Sequence, residues 1–339
     1  MAPEIGAKPR LSDIQENNMK ITKLLSLALT AALPSLLVSP LALAEDFPTR
    51  PITEIVPYPA GGSSDLAGRA LANALADHLG VNVVVDNRSG GGGSVGISAL
   101  ARARTDGYTI GVAPIGTIAN QPHMHRTPYN TESFDYLCQF YYGPEVLVVK
   151  PDSPFNTLNE VIDYAKAHPG KLSFGSPGPG TLPHLDMLRF QQVAGIELTH
   201  VPFAGDGPGL TALMGGHVDL YMAMPNTVTD RNLDAVAVFS DEPMASLPGI
   251  KTVMEQGHNM TASVSGGLVA PKGLPQDIKQ KLVKGCEQAT ESEELKKVLA
   301  RVGFEARYQG PDEFRQLVEH TSEVNGRLIN DVIKKAGGR

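Results

Sequence analysis

The sequence predicts an α/β protein of two lobes, each a sheet with helices packed on it, with a cleft between them. Three observations carry this. Strand-like runs alternate with helix-like runs along most of the chain, the pattern of βαβ units. Gly-rich turns stand where strands hand over to helices, as at Pro57–Asp65 and Gly175–Leu185. Without its first 44 residues the 339-residue chain still keeps 295, enough for two cores.

Each element follows from its local pattern. "ITEIVPY" (52–58) reads as a strand and "DLAGRALANALADHLG" (65–80) as a helix, with Leu66, Ala70, Leu71, Ala74 and Leu75 on one apolar face. "VNVVVDN" (81–87) reads as a buried strand, "SVGISALARARTDG" (94–107) as a helix and "YTIGVAP" (108–114) as a strand, a βαβαβ run that predicts a mostly parallel sheet. In the second unit "EVLVVKP" (145–151), "LSFGSPG" (172–178), "IELTHVPF" (196–203), "VDLYMAM" (218–224) and "LDAVAVFS" (233–240) are strands. Between them "TLNEVIDYAKAHPG" (157–170), "HLDMLRFQQVAG" (184–195) and "GPGLTALMGGH" (207–217) are helices. "SGGLVAP" (265–271) is apolar again, and 276–290, 291–303 and 311–337 are helical, the last packing back on the first lobe.

The N-terminus is set aside from the fold. After Met19 come Lys20 and Lys23, an apolar stretch from Leu24, and the small-x-small triplet Ala42-Leu43-Ala44. This is the pattern of a secretory signal cleaved after Ala44, with residues 1–18 an upstream extension before a better start at Met19. Pro34 and Pro40 weigh against a membrane anchor. The product, 45–339, carries 25 Lys and Arg against 33 Asp and Glu, a net charge of −8. Such a balance suits neither nucleic acid nor an anionic membrane. No later apolar run approaches the length of a membrane span. Cys138 and Cys286 can pair in an oxidising compartment, but the pattern favours two buried thiols acting as small apolar side chains. Without a CxxC, a redox motif or thiolate zinc site is not expected.

The turns carry the chemistry. In "PYPAGGSSD" (57–65) a helix start leaves backbone N–H groups without intrahelical partners, and the helix dipole favours an anion there. Ala60, Gly61 and Gly62 let a ligand or water approach the backbone, and Asp65 is expected to cap the helix. No Lys-Ser/Thr follows the glycines, so this is not a phosphate-binding P-loop. "GGGSVG" (91–96) matches GxGxxG, but no acidic residue lies about 20 positions on to hold a ribose, so a tight structural turn is expected. "GSPGPGTLPHL" (175–185) offers Ser176 and Thr181 hydroxyls and open amides at Gly178 and Gly180; His184 there reads as packed or capping. His123 and His125 lack a third metal ligand and read as solvated loop residues. Asp206 in "FAGDGPGL" reads first as a helix cap and second as a partner for a cationic ligand group.

Five segments, "RPITEIVPYPAGGSSDLAGRALANAL", "VVVDNRSGGGGSVG", "DGYTIGVAPIGT", "GKLSFGSPGPGTLPHL" and "HVPFAGDGPGLTALMGGHVDL", occur in this order. Together they resemble the Bug/TctC family, the extracytoplasmic solute receptors of tripartite tricarboxylate transporters. The likeness runs from about Phe47 to the C-terminal helix. It implies a two-lobed type II periplasmic binding protein fold with a ligand cleft between the lobes. Lobe 1 is then discontinuous, 45–145 and 266–339, and lobe 2 is 146–265. By motif match the ligand-binding residues are Tyr58, Pro59, Ala60, Gly61, Gly62 and Ser63, where the family holds a carboxylate through amides and ordered water. Gly116 and Thr117 follow, then Ser176, Gly178, Gly180, Thr181 and His184, then Phe203, Ala204, Gly205 and Asp206.

The resemblance implies a monomeric periplasmic protein, not an enzyme, with no metal or cofactor. It would capture a small organic carboxylate and pass it to membrane permease subunits, or present it to the periplasmic domain of a sensor kinase. The chain departs from the family pattern at Val264-Ser265-Gly266-Gly267-Leu268, where an aromatic is frequent, and at Ala223-Met224-Pro225-Asn226, where an Asp-Asn pair is usual. The missing Asp argues against an amino-acid ligand, and Met222 and Met224 favour a more apolar ligand body. The enzymatic alternative is a small serine hydrolase using Ser176 or Ser63 with His184; no GxSxG elbow supports it.

Overall fold

Two mixed sheets organise the computed structural model, which describes residues 47–150 and 152–334. The signal and upstream segment expected at 1–44, and the end of the helix expected to reach 337, lie outside the described residues. In chain order the first elements are β1 (Ile52–Val56), α1 (Ser63–Leu79), β2 (Val83–Asn87), α2 (Ser94–Ala101), β3 (Thr109–Pro114), α3 (Ile115–Ala119), α4 (Gln121–Met124) and β4 (Phe134–Pro144). Next come β5 (Val146–Val149), α5 (Leu158–Ala167), β6 (Ser173–Ser176), α6 (Leu182–Ala194), β7 (Thr199–Pro202), α7 (Asp206–Met214), β8 (Leu220–Ala223), α8 (Asn226–Asp230) and β9 (Asp234–Val238). The chain ends with β10 (Ser263–Pro271), α9 (Gln276–Glu291), α10 (Glu293–Arg301), β11 (Glu305–Gln309) and α11 (Pro311–Leu328), followed by a π-helical turn, Ile329–Lys334.

The first sheet has the order β11-β4-β10-β3-β1-β2 and the second β7-β6-β8-β5-β9. The predicted parallel run is present: β1 pairs in parallel with both β2 and β3. The three remaining pairings in the first sheet are antiparallel: β4 leads the chain toward the second sheet and β10 brings it back. The sequence pattern does not predict the 11-residue β4. Its run "FDYLCQFYYGP" is buried on both faces, so it lacks the alternation that marks a strand. Conversely, β2 is not the buried strand expected. It pairs only with β1 at the sheet edge, and Val84 is 54% exposed.

Each sheet is covered on both faces. On β5, Leu147 and Val149 pack with α5 and α6 residues such as Val161 and Phe190, while Val146 and Val148 pack with Leu210 and Leu213 of α7. This period-two division is what a central strand between two helical layers requires. On the first sheet, Leu71, Leu282 and Leu299 lie with Phe140 and Leu268 on one face, and Ile97, Ile118 and Phe314 with Val269 on the other. Cys138 of β4 and Cys286 of α9 are disulfide-bonded, with Cα atoms 6.3 Å apart, which corrects the expectation of two separate thiols. The pairing joins positions 148 residues apart, and no sequence spacing reports such a contact.

One buried acid leaves a mark on stability. Glu54 of β1 is fully buried beneath α1, and neither carboxylate oxygen has a hydrogen-bond partner. A Cβ on Gly68 would lie 2.8 Å from its Oε1, so the helix approaches closely only because residue 68 is glycine. Burial pushes the Glu54 pKa well above its ordinary 4.5, against the opposing pull of Arg69. The proton is thus retained on folding and released on unfolding. Stability from this group is full below about pH 4.5 and falls as pH rises toward the folded-state pKa, by about 1.4 kcal/mol per pH unit. Glu54→Gln is expected to flatten the melting temperature measured between pH 5 and 8 by that contribution. An unchanged slope would mean that Glu54 is ionised in the fold.

Candidate functional site

The Gly-rich turns meet where β1, β3, β6 and β8 end. Helix α1 begins at Gly62, whose backbone carbonyl accepts from Leu66 at 3.0 Å. Asp65 is not the N-cap expected; it is the third helical residue. Its carboxylate reaches back to accept from the Gly61 amide at 2.8 Å and is also held by Arg69 Nε (3.0 Å) and Asn87 Nδ2 (2.8 Å). Burial alone would raise the Asp65 pKa, but these partners, Arg69 foremost, together bring it below its ordinary value. The loop is thereby fixed with Gly61 at φ +84°, a conformation open to glycine.

A cavity of about 160 Å³ lies against this loop, room for several waters or a small organic molecule. From the first sheet's side it is lined by Tyr58–Ser64, Pro114, Gly116 and Thr117. From the second it is lined by Pro177, Thr181–Pro183, Gly205–Pro208 and Met222–Met224, and from the two crossings between the sheets by Glu145 and by Val264 of β10. Among the described residues, no Lys, Arg or His lines it. The Tyr58 hydroxyl donates to the Gly92 carbonyl (3.2 Å) and is 3.3 Å from Thr117 Oγ1. Burial lifts the phenol's pKa to about 12, so it remains a neutral donor.

Of the residues expected at the ligand, Tyr58, Pro59, Ala60, Gly61, Gly62, Ser63, Gly116, Thr117, Thr181, Gly205 and Asp206 come together around the cavity. Ser176, Gly178, Gly180, His184, Phe203 and Ala204 do not line it. Ser176 is fully buried, with Oγ 2.7 Å from His200 Nε2. His184 accepts the Gly180 amide at Nδ1 (3.0 Å) and stacks on His200 with ring centroids 4.0 Å apart. Burial drives the His184 pKa down to about 3 and that of His200 to about 4. The two neutral rings thus buttress the 176–181 turn, and neither the Ser176–His200 pair nor His184 faces the cavity. His123, read as solvated, hydrogen-bonds Ser322 Oγ at 2.8 Å.

Asp206 is not the cap expected either. Gly205 is the N-cap of α7, and Asp206 is its first residue. Its oxygens accept from Ser63 Oγ (3.1 Å) and Tyr221 Oη (3.2 Å), so a side chain of the second sheet's helix is tied to the start of α1. Burial raises its pKa against those two donors.

Glu145 was missed by sequence reasoning. It is the single residue between β4 and β5, and its backbone is gripped by the return crossing: its N–H donates to Ala262 O (3.0 Å) and its carbonyl accepts from Phe239 (2.8 Å). The side chain is fully buried at the cavity wall, and no N–H or hydroxyl donates to either carboxyl oxygen. Asp186 of α6, itself 3.4 Å from Arg189, shares a side-chain hydrogen bond with Glu145, the protonated Glu145 carboxyl donating to the Asp186 carboxylate. Burial, and then Asp186, push the Glu145 pKa upward. The available signal was a lone acid inside an otherwise apolar run, "YLCQFYYGPEVLVV".

Two mixed α/β sheets exchanging crossing strands, with a cavity at the strand ends lined by helix starts, define a solute-receptor architecture. The chain belongs to the tripartite tricarboxylate transporter receptor family: residues 67–333 match the family described as "Tripartite tricarboxylate transporter family receptor". It is 33% identical over 315 residues to the UPF0065 protein in the gbd 5' region of Cupriavidus necator, covering 89% of this chain and 93% of that protein. Among solved structures, the periplasmic binding protein BugD superposes with a TM-score of 0.78 at 29% identity, over 86% of this chain and 99% of BugD. Rpa4515 of R. palustris with adipate gives 0.79 at 27% identity, over 84% and 98%. MatC of Rhodopseudomonas palustris with bound malate gives 0.78 at 25%, over 84% and 100%. The family and fold are those of solute-binding receptors rather than enzymes.

Proposed function

We propose that this protein captures a small organic carboxylate in the periplasm and delivers it to a permease of the tripartite tricarboxylate type. The observation that carries the reading is the β1–α1 turn at the cavity. Its first-turn amides have no intrahelical acceptors, and a helix start favours negative charge without a fixed cation. Adipate and malate in the related structures agree with this class. Binding proceeds by closure of two lobes, 45–145 with 266–339 against 146–265, with Tyr58–Ser63 as carboxylate seat and Gly116, Thr117, Thr181, Gly205 and Asp206 around it. Ligand binding favours the closed form, which the membrane partner recognises.

The test is a thermal-shift screen of protein unfolded and refolded to strip bound ligand, against mono-, di- and tricarboxylates, amino acids and neutral sugars. At about 1,000 times its dissociation constant a ligand stabilises by roughly 4 kcal/mol. A carboxylate that stabilises the protein, and loses the effect when amidated, is expected. Stabilisation by a sugar and by no acid would sink the reading.

A further inference from the structure

The carboxylate seat faces an acid of the opposite sheet. Ser63, the first residue of α1, lines the cavity, and its hydroxyl donates to Asp206 Oδ2 at the start of α7, 3.1 Å away. Asp206 lines the same cavity from the second sheet's side. Its other oxygen, Oδ1, accepts from Tyr221 Oη at 3.2 Å. Tyr221 is fully buried, and a Cβ on Gly175 would lie 2.7 Å from its ring, so the phenol is packed in place and holds the carboxylate toward Ser63. A ligand carboxylate seated at Tyr58–Ser63 therefore arrives one hydroxyl away from a second carboxylate. Resting on the carboxylate reading above, we infer that this protein takes up a proton with its ligand: Asp206 is protonated as the ligand carboxylate arrives, and the Ser63 hydroxyl turns from Asp206 to the ligand.

Charge decides this. Among the described residues no Lys, Arg or His lines the cavity. Two carboxylates held in one site without a cation between them do not both stay ionised; one takes a proton. The other acid of the lining, Glu145, already has its proton and gives it to a hydrogen bond with Asp186, whose own charge is met by Arg189 at 3.4 Å. Asp206 is the acid left to respond. The ionisable groups that face it are Tyr58 before α1, Tyr141 of β4, Glu145 at the crossing, Tyr221 of β8 and Arg231 after α8. Arg231 is the one cation among them. It lies outside the cavity lining, and its pull on Asp206 is weaker than that of the Ser63 and Tyr221 hydrogen bonds. Burial already raises the Asp206 pKa above its ordinary 3.8, and a ligand anion beside it raises it further.

The proton reverses one hydrogen bond and breaks no contact between the sheets. A proton from solvent binds Asp206 Oδ2, and the new O–H donates to Ser63 Oγ. A serine hydroxyl accepts while giving its own hydrogen elsewhere, so the Ser63 O–H now donates to the ligand carboxylate beside the first-turn amides. Oδ1 keeps its bond from Tyr221. One ligand charge is offset by one proton, and α1 stays tied to α7 in both states. By linkage, the proton strengthens ligand binding by the factor that the ligand strengthens proton binding. Affinity is therefore full below the Asp206 pKa of the free protein. It falls by about 10-fold per pH unit from there up to the raised pKa of the complex.

The experiment is titration calorimetry on the stripped full chain from pH 6.5 to 8.5, each point in two buffers of different ionisation enthalpy. The probes are acetate, benzoate, succinate, malate and adipate, whose own acids are ionised throughout that range. The probe that binds is expected to bring up to one proton with it, and to lose about 10-fold or more in affinity across the range. Asp206→Asn is a fixed mimic of the protonated acid: its Nδ2 donates to Ser63 and its Oδ1 still accepts from Tyr221. It is expected to take up no proton, to bind equally at pH 6.5 and 8.5, and at pH 8.5 to bind at least 10-fold more tightly than the unmutated protein. If Asp206 only braced the turn, the same variant would bind more weakly at every pH. Proton uptake by the unmutated protein is read without any variant. Binding that is independent of pH and free of uptake overturns the inference. So does uptake that persists in Asp206→Asn, which would move the proton to the Glu145–Asp186 pair. Either result leaves the carboxylate reading standing, whereas failure of every acid in the panel overturns both.

Discussion

Replacing both Cys138 and Cys286 by alanine lowers the unfolding free energy by up to about 5 kcal/mol, the chain-entropy value for a loop of this size. The bond closes a loop between positions 148 apart, and that loop contains the whole second sheet. Its ends are fully buried in the layer where α9 packs on β4, beside Phe140 and Leu282. Cutting it frees the unfolded chain to explore conformations that the bond forbids, and leaves small voids where the sulfurs packed. Equilibrium denaturant curves on the double variant measure the loss, and m should rise because the unlinked unfolded chain exposes more surface. Because the sulfurs are inaccessible, reductant alone is expected to act slowly, which makes the variant the cleaner measurement. A loss below about 1 kcal/mol, with m unchanged, would mean that the unfolded chain is already compact without the bond and gains little freedom when it is cut.

What was legible in the sequence is what local pattern encodes. The α1 face of Ala70, Leu71, Ala74 and Leu75 is a periodicity and is present, while Leu66, expected on the same face, is 38% exposed. The Gly-rich turns also read correctly as strand-to-helix junctions, because glycine at φ +84° in Gly61 or +118° in Gly205 is a backbone requirement. Most of the misses depend on partners distant in sequence; Asp65, which accepts from Gly61 four residues before it, is the local one. β4 is a strand because β10, more than a hundred residues later, pairs with it. Asp65 and Asp206 sit where a cap reading is natural. Their carboxylates turn instead to Gly61 and to Ser63 and Tyr221, and only the folded turn brings those donors within reach. Glu145 looks like a solvated strand-end acid until the crossing of two chain segments between the sheets buries it.

Gly92→Ala is expected to weaken ligand binding about 5- to 150-fold, the equivalent of an overpacking cost of 1–3 kcal/mol. Gly92 belongs to the first-sheet turn Gly91–Gly93, and a Cβ there would lie 2.8 Å from the Pro179 carbonyl of the turn that follows β6 in the second sheet, and closer still to Gln121. Gln121 Nε2 donates to the same Pro179 carbonyl at 2.8 Å, and Asn120 Nδ2 donates to Gly180 O at 2.9 Å. The methyl group would therefore wedge into the seam where the two sheets' turns meet, against the Pro179 carbonyl across it and the end of the Gln121 side chain on its own side. Gly92 also has φ +61°, so alanine carries a backbone cost in any arrangement of the sheets. Gly80→Ala isolates that second effect. Gly80 has φ +71°, a methyl group there would have nothing within 4 Å, and the residue ends α1 away from the cavity. If closure holds the ligand, both variants lose stability through the backbone, but only Gly92→Ala loses affinity in calorimetry. Equal affinity in the two would show that the turns need not meet for the ligand to bind, and would remove closure from the mechanism.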